Sequence, residues 1–272
     1  MMKKSLVINW KNESLATAID YPSQLEEGER YPLIIICHGF IGSKVGVDRL
    51  FVKAAQEFNK EQSIVLRFDL AGCGESSGEY GKTGLHDFID QLATVIEFAS
   101  KNIMQIDRNQ ITLLGHSLGG ATAVLTAVMD KRIKRLVLWS AAALPYKDIR
   151  RIVGKEKVRL LKHESEIDYL GYSLTKPFFD SLVGYEPLQT AVQYTGNVLI
   201  VHGTGDEDLP VQYAKEYARA FSQRQMGRVT SYEIAGANHT ISNGEHFSEL
   251  MRTTIKWLNE EVKAQQNQNV SA

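Results

Sequence analysis

One serine of this sequence stands where a hydroxyl group can become a nucleophile. Residues 115–120 read Gly-His-Ser-Leu-Gly-Gly, directly after an apolar stretch at 111–114 and at the start of a helical pattern. A G-x-S-x-G pattern between a strand and a helix places the serine on a strained turn that exposes its hydroxyl. The helix N-terminus directs free N–H groups towards an oxyanion formed beside it. We therefore predict that Ser117 is a nucleophile; the structural alternative is a capping serine in a glycine-rich turn.

A serine nucleophile needs a base that accepts its proton, and histidine most often fills this role. The sequence contains seven histidines. Most of them belong to other motifs or to helical segments. His239 lies in Gly-Ala-Asn-His-Thr, just after the last predicted strand, and loops at strand ends are where folds of this class place catalytic groups. We predict that His239 is the general base, in preference to a structural histidine.

The base in turn needs a carboxylate that orients it. Residues 203–210 read Gly-Thr-Gly-Asp-Glu-Asp-Leu-Pro and offer three carboxylates after one strand. We favour Asp206 because it follows the tight Gly-Thr-Gly turn. Asp208 lies next to a proline and is the candidate cap of the following helix, so Asp208 and Glu207 remain the alternatives.

A tetrahedral intermediate also needs backbone donors for its oxyanion. In a serine site of this kind, one donor follows the nucleophile and the second comes from the loop after the third strand. His38-Gly39-Phe40 stands in that loop, and a glycine there allows close approach of the backbone. We assign the two donors to the backbone N–H groups of Phe40 and Leu118; a simple turn after a buried strand is the alternative for residues 38–40.

Alternating strand and helix patterns indicate an α/β fold. Two N-terminal strands form a hairpin, and later strands rich in Val, Ile and Leu alternate with helices, which is typical of a parallel sheet covered on both faces. The sequence predicts a mostly parallel eight-stranded sheet within one domain, 1–272. The predicted strands are 5–10, 15–21, 33–37, 64–68, 111–114, 135–139, 198–201 and 229–234, and the helices are 48–60, 85–101, 117–129, 211–225 and 245–263.

One connection is too long for a simple crossover, which needs about a dozen residues. Residues 141–196 separate the sixth and seventh strands, and we predict that they form a lid over the site. The run 147–162 carries seven Lys or Arg against two acidic residues; it either faces solvent or attracts an anionic substrate. Tyr169 and Tyr172 are candidate substrate contacts, with packing inside the lid as the alternative.

Composition excludes several classes of partner. Thirty-one basic and 32 acidic residues give a formal charge of -1, so we expect no nucleic acid and no membrane as partners. The apolar stretch after Lys4 ends at Asn9 and is too short for a secretory signal, so we expect a cytoplasmic protein in which Cys37 and Cys73 are free thiols. A homodimer remains open.

Together these motifs identify the chain as similar to the α/β-hydrolase superfamily from end to end. The segments 37–40, 67–76, 115–120, 201–210 and 236–240 occur in the order of that superfamily, with Ser, Asp and His following one another along the chain. The approach to the acid strand, Gln-Tyr-Thr-Gly-Asn-Val at 193–198, and the size of the insertion most resemble bacterial cinnamoyl and feruloyl esterases and related carboxylesterases. The resemblance implies a serine esterase with a lid at 141–196, without metal or cofactor, acting on a small or aromatic ester. A hydroxycinnamate ester is one candidate, but the lid matches the family least and does not carry that specificity over.

Other functions remain to be weighed against an esterase. The same triad serves thioesterases, lipases, peptidases and acyltransferases, because all of them pass through an acyl-serine. Two classes fall outside hydrolysis. The glycines after the fourth strand have the wrong spacing for dinucleotide binding, and a non-catalytic interaction protein on the same fold would have no need of an intact triad.

Overall fold

A computed structural model describes the backbone of residues 2–270 and the side chains of residues 2–263. All eight predicted strands are present in one sheet, with the order β1-β2-β4-β3-β5-β6-β9-β10. Their bounds are β1 Met2–Trp10, β2 Glu13–Tyr21, β3 Tyr31–Cys37, β4 Ile64–Phe68, β5 Ile106–His116, β6 Ile133–Trp139, β9 Asn197–Gly203 and β10 Val229–Ile234. Strand β2 pairs antiparallel with β1 and β4, and the remaining pairs are parallel.

Helices cover both faces of this sheet, as the sequence predicts. Neighbouring residues of a strand point to opposite faces, and in β3 Leu33 and Ile35 belong to one buried cluster whereas Ile34 and Ile36 belong to the other. The first cluster includes side chains of α2, α3 and α8, and the second includes those of α1 and α9. These helices are α1 Leu50–Lys60, α2 Leu85–Asn102, α3 Leu118–Met129, α8 Gln212–Ser222 and α9 Gly244–Val270.

The long connection between β6 and β9 forms a small substructure of its own. It begins with α4 Pro145–Val153 and α5 Lys155–Arg159, continues through the antiparallel strands β7 Glu166–Tyr169 and β8 Tyr172–Thr175, and ends with α6 Lys176–Ser181 and α7 Pro187–Ala191. The two short strands pair only with each other as a sheet. The sequence did not predict them, because four residues of mixed polarity give no clear alternation.

Two smaller expectations are also answered by the structure. Cys37 and Cys73 are both buried free thiols, which confirms that they do not form a disulfide. No helix among the described residues is long and apolar enough to cross a membrane.

Candidate active site

Ser117 occupies the sharp turn between β5 and α3. Its φ of 57° and ψ of −126° are strained for a residue with a side chain. The turn is held from both sides, because the Ser117 N–H donates to Trp139 O at 3.1 Å and the Ser117 carbonyl accepts from Gly120 N at 2.9 Å. A Cβ at Gly119 would lie 2.3 Å from the carbonyl oxygen of Cys37, so only glycine allows the helix to start this close to β3.

The loop after β3 lies directly against the nucleophile. A Cβ at Gly39 would be 2.8 Å from the Ser117 Cβ and 3.3 Å from Oγ, and the next residue, Phe40, lines the same cavity as Ser117. Leu118 is the first residue of α3, so its N–H has no acceptor within the helix. The loop that carries Phe40 and the start of α3 at Leu118 therefore both lie beside Ser117.

His239 and Asp206 form a hydrogen-bonded pair at the ends of β10 and β9. The His239 Nδ1–H donates to Asp206 Oδ2 at 2.8 Å. The Asp206 side chain is fully buried, and that of His239 is 13% exposed. The second carboxylate oxygen, Oδ1, accepts the backbone N–H groups of Asp208 at 2.9 Å and Leu209 at 2.8 Å. The imidazole is thus oriented with Nε2 as the atom free to exchange a proton.

Asp206 is suited to remain ionised beside this imidazole. Burial tends to raise the pKa of its carboxyl, but the hydrogen bonds from His202, His239 and the Leu209 backbone favour the charged form. The second effect is the larger, so the pKa of Asp206 lies well below its usual range. A permanent negative charge therefore faces His239.

The other two carboxylates of this loop have different surroundings. Glu207 and Asp208 are exposed, and their backbone carbonyls accept hydrogen bonds from the guanidinium of Arg151 in α4. Helix α8 begins at Gln212 without a side-chain cap, so the capping role considered for Asp208 is wrong. Of the three candidates, the structure brings Asp206 to His239.

Sequence reasoning assigned no role to two further histidines of the site. His38 Nδ1–H donates to Gly39 O at 2.8 Å while its Nε2 accepts from Leu70 N at 3.0 Å, which fixes the loop that carries Phe40. His116 Nε2–H donates to His239 O at 3.0 Å. Burial lowers the pKa of His116 to about 3, so it remains neutral. Each of these histidines follows the apolar residues of a parallel strand. This position is the sequence signal that could have pointed to a place in the site.

An apolar cavity of about 340 Å³ opens in front of Ser117 and His239. Its described lining comes from the loop after β3, the start of α1, the turn at Ser117, the insertion and the loops after β9 and β10: His38, Gly39, Phe40, Ile41, Gly42, Ser43, Gly46, Val47, Leu50, Phe51, His116, Ser117, Ile152, Tyr169, Leu170, Asp208, His239 and Thr240. The insertion thus contributes to the wall of the cavity, as a lid would.

The two tyrosines predicted as substrate contacts behave differently. Tyr169 lines the cavity, and its ring lies 5.8 Å from that of Phe40. Tyr172 is absent from the described lining; its ring packs edge-on against Tyr80 at 5.9 Å, and its hydroxyl contacts the Cys73 thiol. Burial raises the pKa of Tyr172 to about 12. For Tyr172 the structure favours the packing alternative.

The family model described as "Serine aminopeptidase, S33" matches residues 28–165. The matched segment includes the loop after β3 and the turn at Ser117, but it ends before Asp206 and His239. The sequence is also 27% identical over 287 aligned positions to an uncharacterized 31.7 kDa protein of Escherichia coli, covering 91% of this chain and 97% of that protein.

Two further relatives carry a description of activity. A putative esterase/lipase of Haemophilus influenzae is 28% identical, over 45% of this chain and 39% of its own length. The solved structure of Est1E from Butyrivibrio proteoclasticus with bound ferulic acid superposes with a TM-score of 0.79 and 25% identity, covering 95% of this chain and 99% of that one. The similarity to Est1E extends over nearly the whole chain.

Proposed function

The chain belongs to the α/β-hydrolase family described as serine aminopeptidase, S33, and we propose that within this family it is a serine carboxylesterase. The observation that carries the proposal is the buried Asp206–His239 pair, 2.8 Å apart, on the same cavity as the strained Ser117. A non-catalytic protein would have no reason to keep an ionised carboxylate buried behind a histidine.

The proposed reaction has two steps through one covalent intermediate. His239 Nε2 takes the Ser117 proton as Oγ attacks the ester carbonyl, and the oxyanion accepts hydrogen bonds from the Phe40 and Leu118 N–H groups. His239 then gives the proton to the departing alcohol. Water, activated by the same imidazole, attacks the acyl-serine and releases the acid. Asp206 holds the imidazole in the Nδ1–H form and stabilises the imidazolium that forms in each step.

The cavity supports a small or aromatic acyl or alcohol group as substrate. A volume of about 340 Å³ is at the lower end of ligand pockets, which disfavours long acyl chains. Its wall presents the rings of Phe40, Phe51 and Tyr169. The structural relative Est1E has ferulic acid bound, so a hydroxycinnamate ester is one substrate to be tested.

Other acyl-transfer reactions are the alternatives. A thioesterase, a lipase or an acyltransferase would use the same three residues. The family description adds an aminopeptidase. One observation favours it: Asp208 is the only acidic residue in the described lining of the cavity. A carboxylate there can bind the ammonium group of a peptide N-terminus.

A substrate panel tests the proposal. The wild type should hydrolyse p-nitrophenyl acetate and butyrate faster than the palmitate, and the panel includes methyl ferulate, an acyl-thioester and an aminoacyl p-nitroanilide. Ser117→Ala should reduce kcat about 10⁵-fold or more. Undiminished esterase activity in this variant would exclude Ser117 as the nucleophile, and preference for the anilide, lost in Asp208→Asn, would favour the aminopeptidase.

A further inference from the structure

Asp206 contacts a second imidazole besides that of His239. His202 lies at the end of β9, and its Nε2 is 3.0 Å from Asp206 Oδ2, the same oxygen that accepts the His239 proton. The side chain of His202 is only 1% exposed. Two histidines therefore converge on one carboxylate oxygen inside the protein.

The surroundings of His202 determine which of its nitrogens carries a proton. Its Nε2 faces Asp206 Oδ2 at 3.0 Å and the carbonyl oxygen of Leu209 at 3.3 Å. Both groups are acceptors only, so Nε2 must be protonated whether the ring is neutral or charged. His202 is thus a donor to the carboxylate.

The four donors around Asp206 divide into two sets. Oδ1 is held by two backbone N–H groups of the same loop, from Asp208 and Leu209. Oδ2 is shared by His239, which takes part in the proposed reaction, and by His202, which lines no part of the cavity that the structure describes. A donor to a carboxylate lowers its basicity, so His202 weakens the charge that Asp206 presents to His239.

We propose that His202 is a positioning residue that sets the basicity of His239 through Asp206. Its Nε2 lies 3.0 Å from Oδ2 and so reduces the negative charge that this oxygen presents to His239. This inference rests on the proposed function, in which His239 is the general base. Removal of the donor from His202 should therefore raise the His239 pKa and move the acidic limb of the rate profile to higher pH.

Other titratable groups lie near His202 and His239, and the substitutions in the test leave them unchanged. The His116 ring lies 4.9 Å from that of His239. Asp206 and His202 also act electrostatically on His116. On β10, the residue in register with His202 is Glu233, whose carboxylate lies 3.6 Å from Lys215 Nζ. On the other side, Val201 of β9 is in register with the uncharged Trp139.

The test compares substitutions that keep or remove the donor. In His202→Gln the amide nitrogen can take the place of Nε2, whereas His202→Phe fills the space without a donor and His202→Asn is too short to reach Asp206. We expect His202→Phe and His202→Asn to raise the His239 pKa measured by titration and to lower kcat about 10-fold or more, while His202→Gln stays close to the wild type.

Two measurements separate this inference from the proposed function. An NMR titration of the His239 ring reports its pKa without any turnover, and the pH profile of kcat/KM for p-nitrophenyl acetate reports it in the reaction. If the wild type shows no esterase activity but the His239 ring pKa is shifted in His202→Phe, the esterase function is overturned and the link between His202 and His239 is supported. An unchanged His239 pKa in His202→Phe and His202→Asn, or an equal shift in His202→Gln, would overturn the link. Thermal unfolding checks that the variants fold, and His202→Asn serves if His202→Phe does not.

Discussion

The strand-end loops and the insertion between β6 and β9 contribute to the same cavity in different ways. Asp206, His202 and His116 are buried, and hydrogen bonds define the position of each. In the insertion, Leu170 at the tip of the β7–β8 hairpin is 74% exposed, and seven basic residues lie in the run 147–162. The two regions therefore differ in burial: the strand-end loops hold the proposed catalytic residues inside the protein, and the more exposed insertion lines the approach to them.

Apart from the proposed nucleophile itself, the largest effect is expected from the acid behind His239. Asp206→Asn keeps the shape of the side chain but removes its charge, and an amide also permits the wrong imidazole tautomer, so kcat should fall about 10⁴-fold. Asp208→Asn, two residues away in the same loop, is the matched control and should change kcat for esters less than about threefold. Steady-state kinetics on p-nitrophenyl acetate measure both, and a larger loss from Asp208→Asn would mean that the orienting acid is the other carboxylate.

The next effect concerns the loop that carries Phe40. Gly39→Ala would place a methyl group 2.8 Å from the Ser117 Cβ, so the loop must shift and the oxyanion donor moves with it. A displacement of this size should reduce kcat about 100-fold. Gly244→Ala is the control, since nothing lies within 4 Å of the added Cβ, and its kcat should match the wild type. Equal activity of the two variants would argue that the loop after β3 holds no oxyanion donor.

A smaller effect should appear in stability towards acid. Unfolded histidine takes up a proton below about pH 6.5, whereas burial keeps His116 neutral in the folded protein down to a pKa of about 3. The unfolded state binds more protons in this window, so the free energy of unfolding decreases as pH falls. At pH 4.5, two pH units below the unfolded value, this contribution to the loss of stability is about 3 kcal/mol.

His116→Gln should remove that contribution, because glutamine does not titrate and its amide can still donate to the His239 carbonyl. The difference in the free energy of unfolding between pH 7 and pH 4.5, from urea denaturation, should be smaller in the variant by about 3 kcal/mol. An identical pH dependence in the two proteins would contradict a neutral buried His116.

The smallest effect is expected from the insertion. A substitution there should change the preference between esters rather than kcat. Tyr169→Ala enlarges the cavity and removes a ring next to Phe40, so KM for an aromatic ester should rise about 10-fold, with little change for the acetate. Tyr172→Phe removes only a hydroxyl that contacts Cys73. It should leave KM for the aromatic ester and KM for the acetate within about twofold of the wild type. If Tyr172→Phe raised KM for the aromatic ester more than Tyr169→Ala did, the packing role assigned to Tyr172 would be wrong.

Much of the sheet could be predicted because its strands are buried on both faces. Runs such as Leu33 to Ile36 are continuous in Leu and Ile, so their pattern survives without knowledge of neighbours. The short strands β7 and β8 lack this signal, since half of each is polar and they gain stability only from each other. The contacts of His116 and His202 were missed for a related reason: His116 bonds to the carbonyl of His239 in another loop, and the contact of His202 with Asp206 depends on how the loop after β9 folds back.

The turn at Ser117 and the eight strands of the sheet could be predicted from residue patterns alone, because local geometry and burial on both faces leave specific patterns. The same patterns left three carboxylates as candidates for the acid and two tyrosines as candidate substrate contacts. The folded chain distinguishes among these candidates, since the choice of Asp206 over Asp208 and of Tyr169 over Tyr172 depends on which side chain faces a residue more than thirty positions away. His202 and Asp206 are only four positions apart, but their contact depends on how the loop after β9 folds.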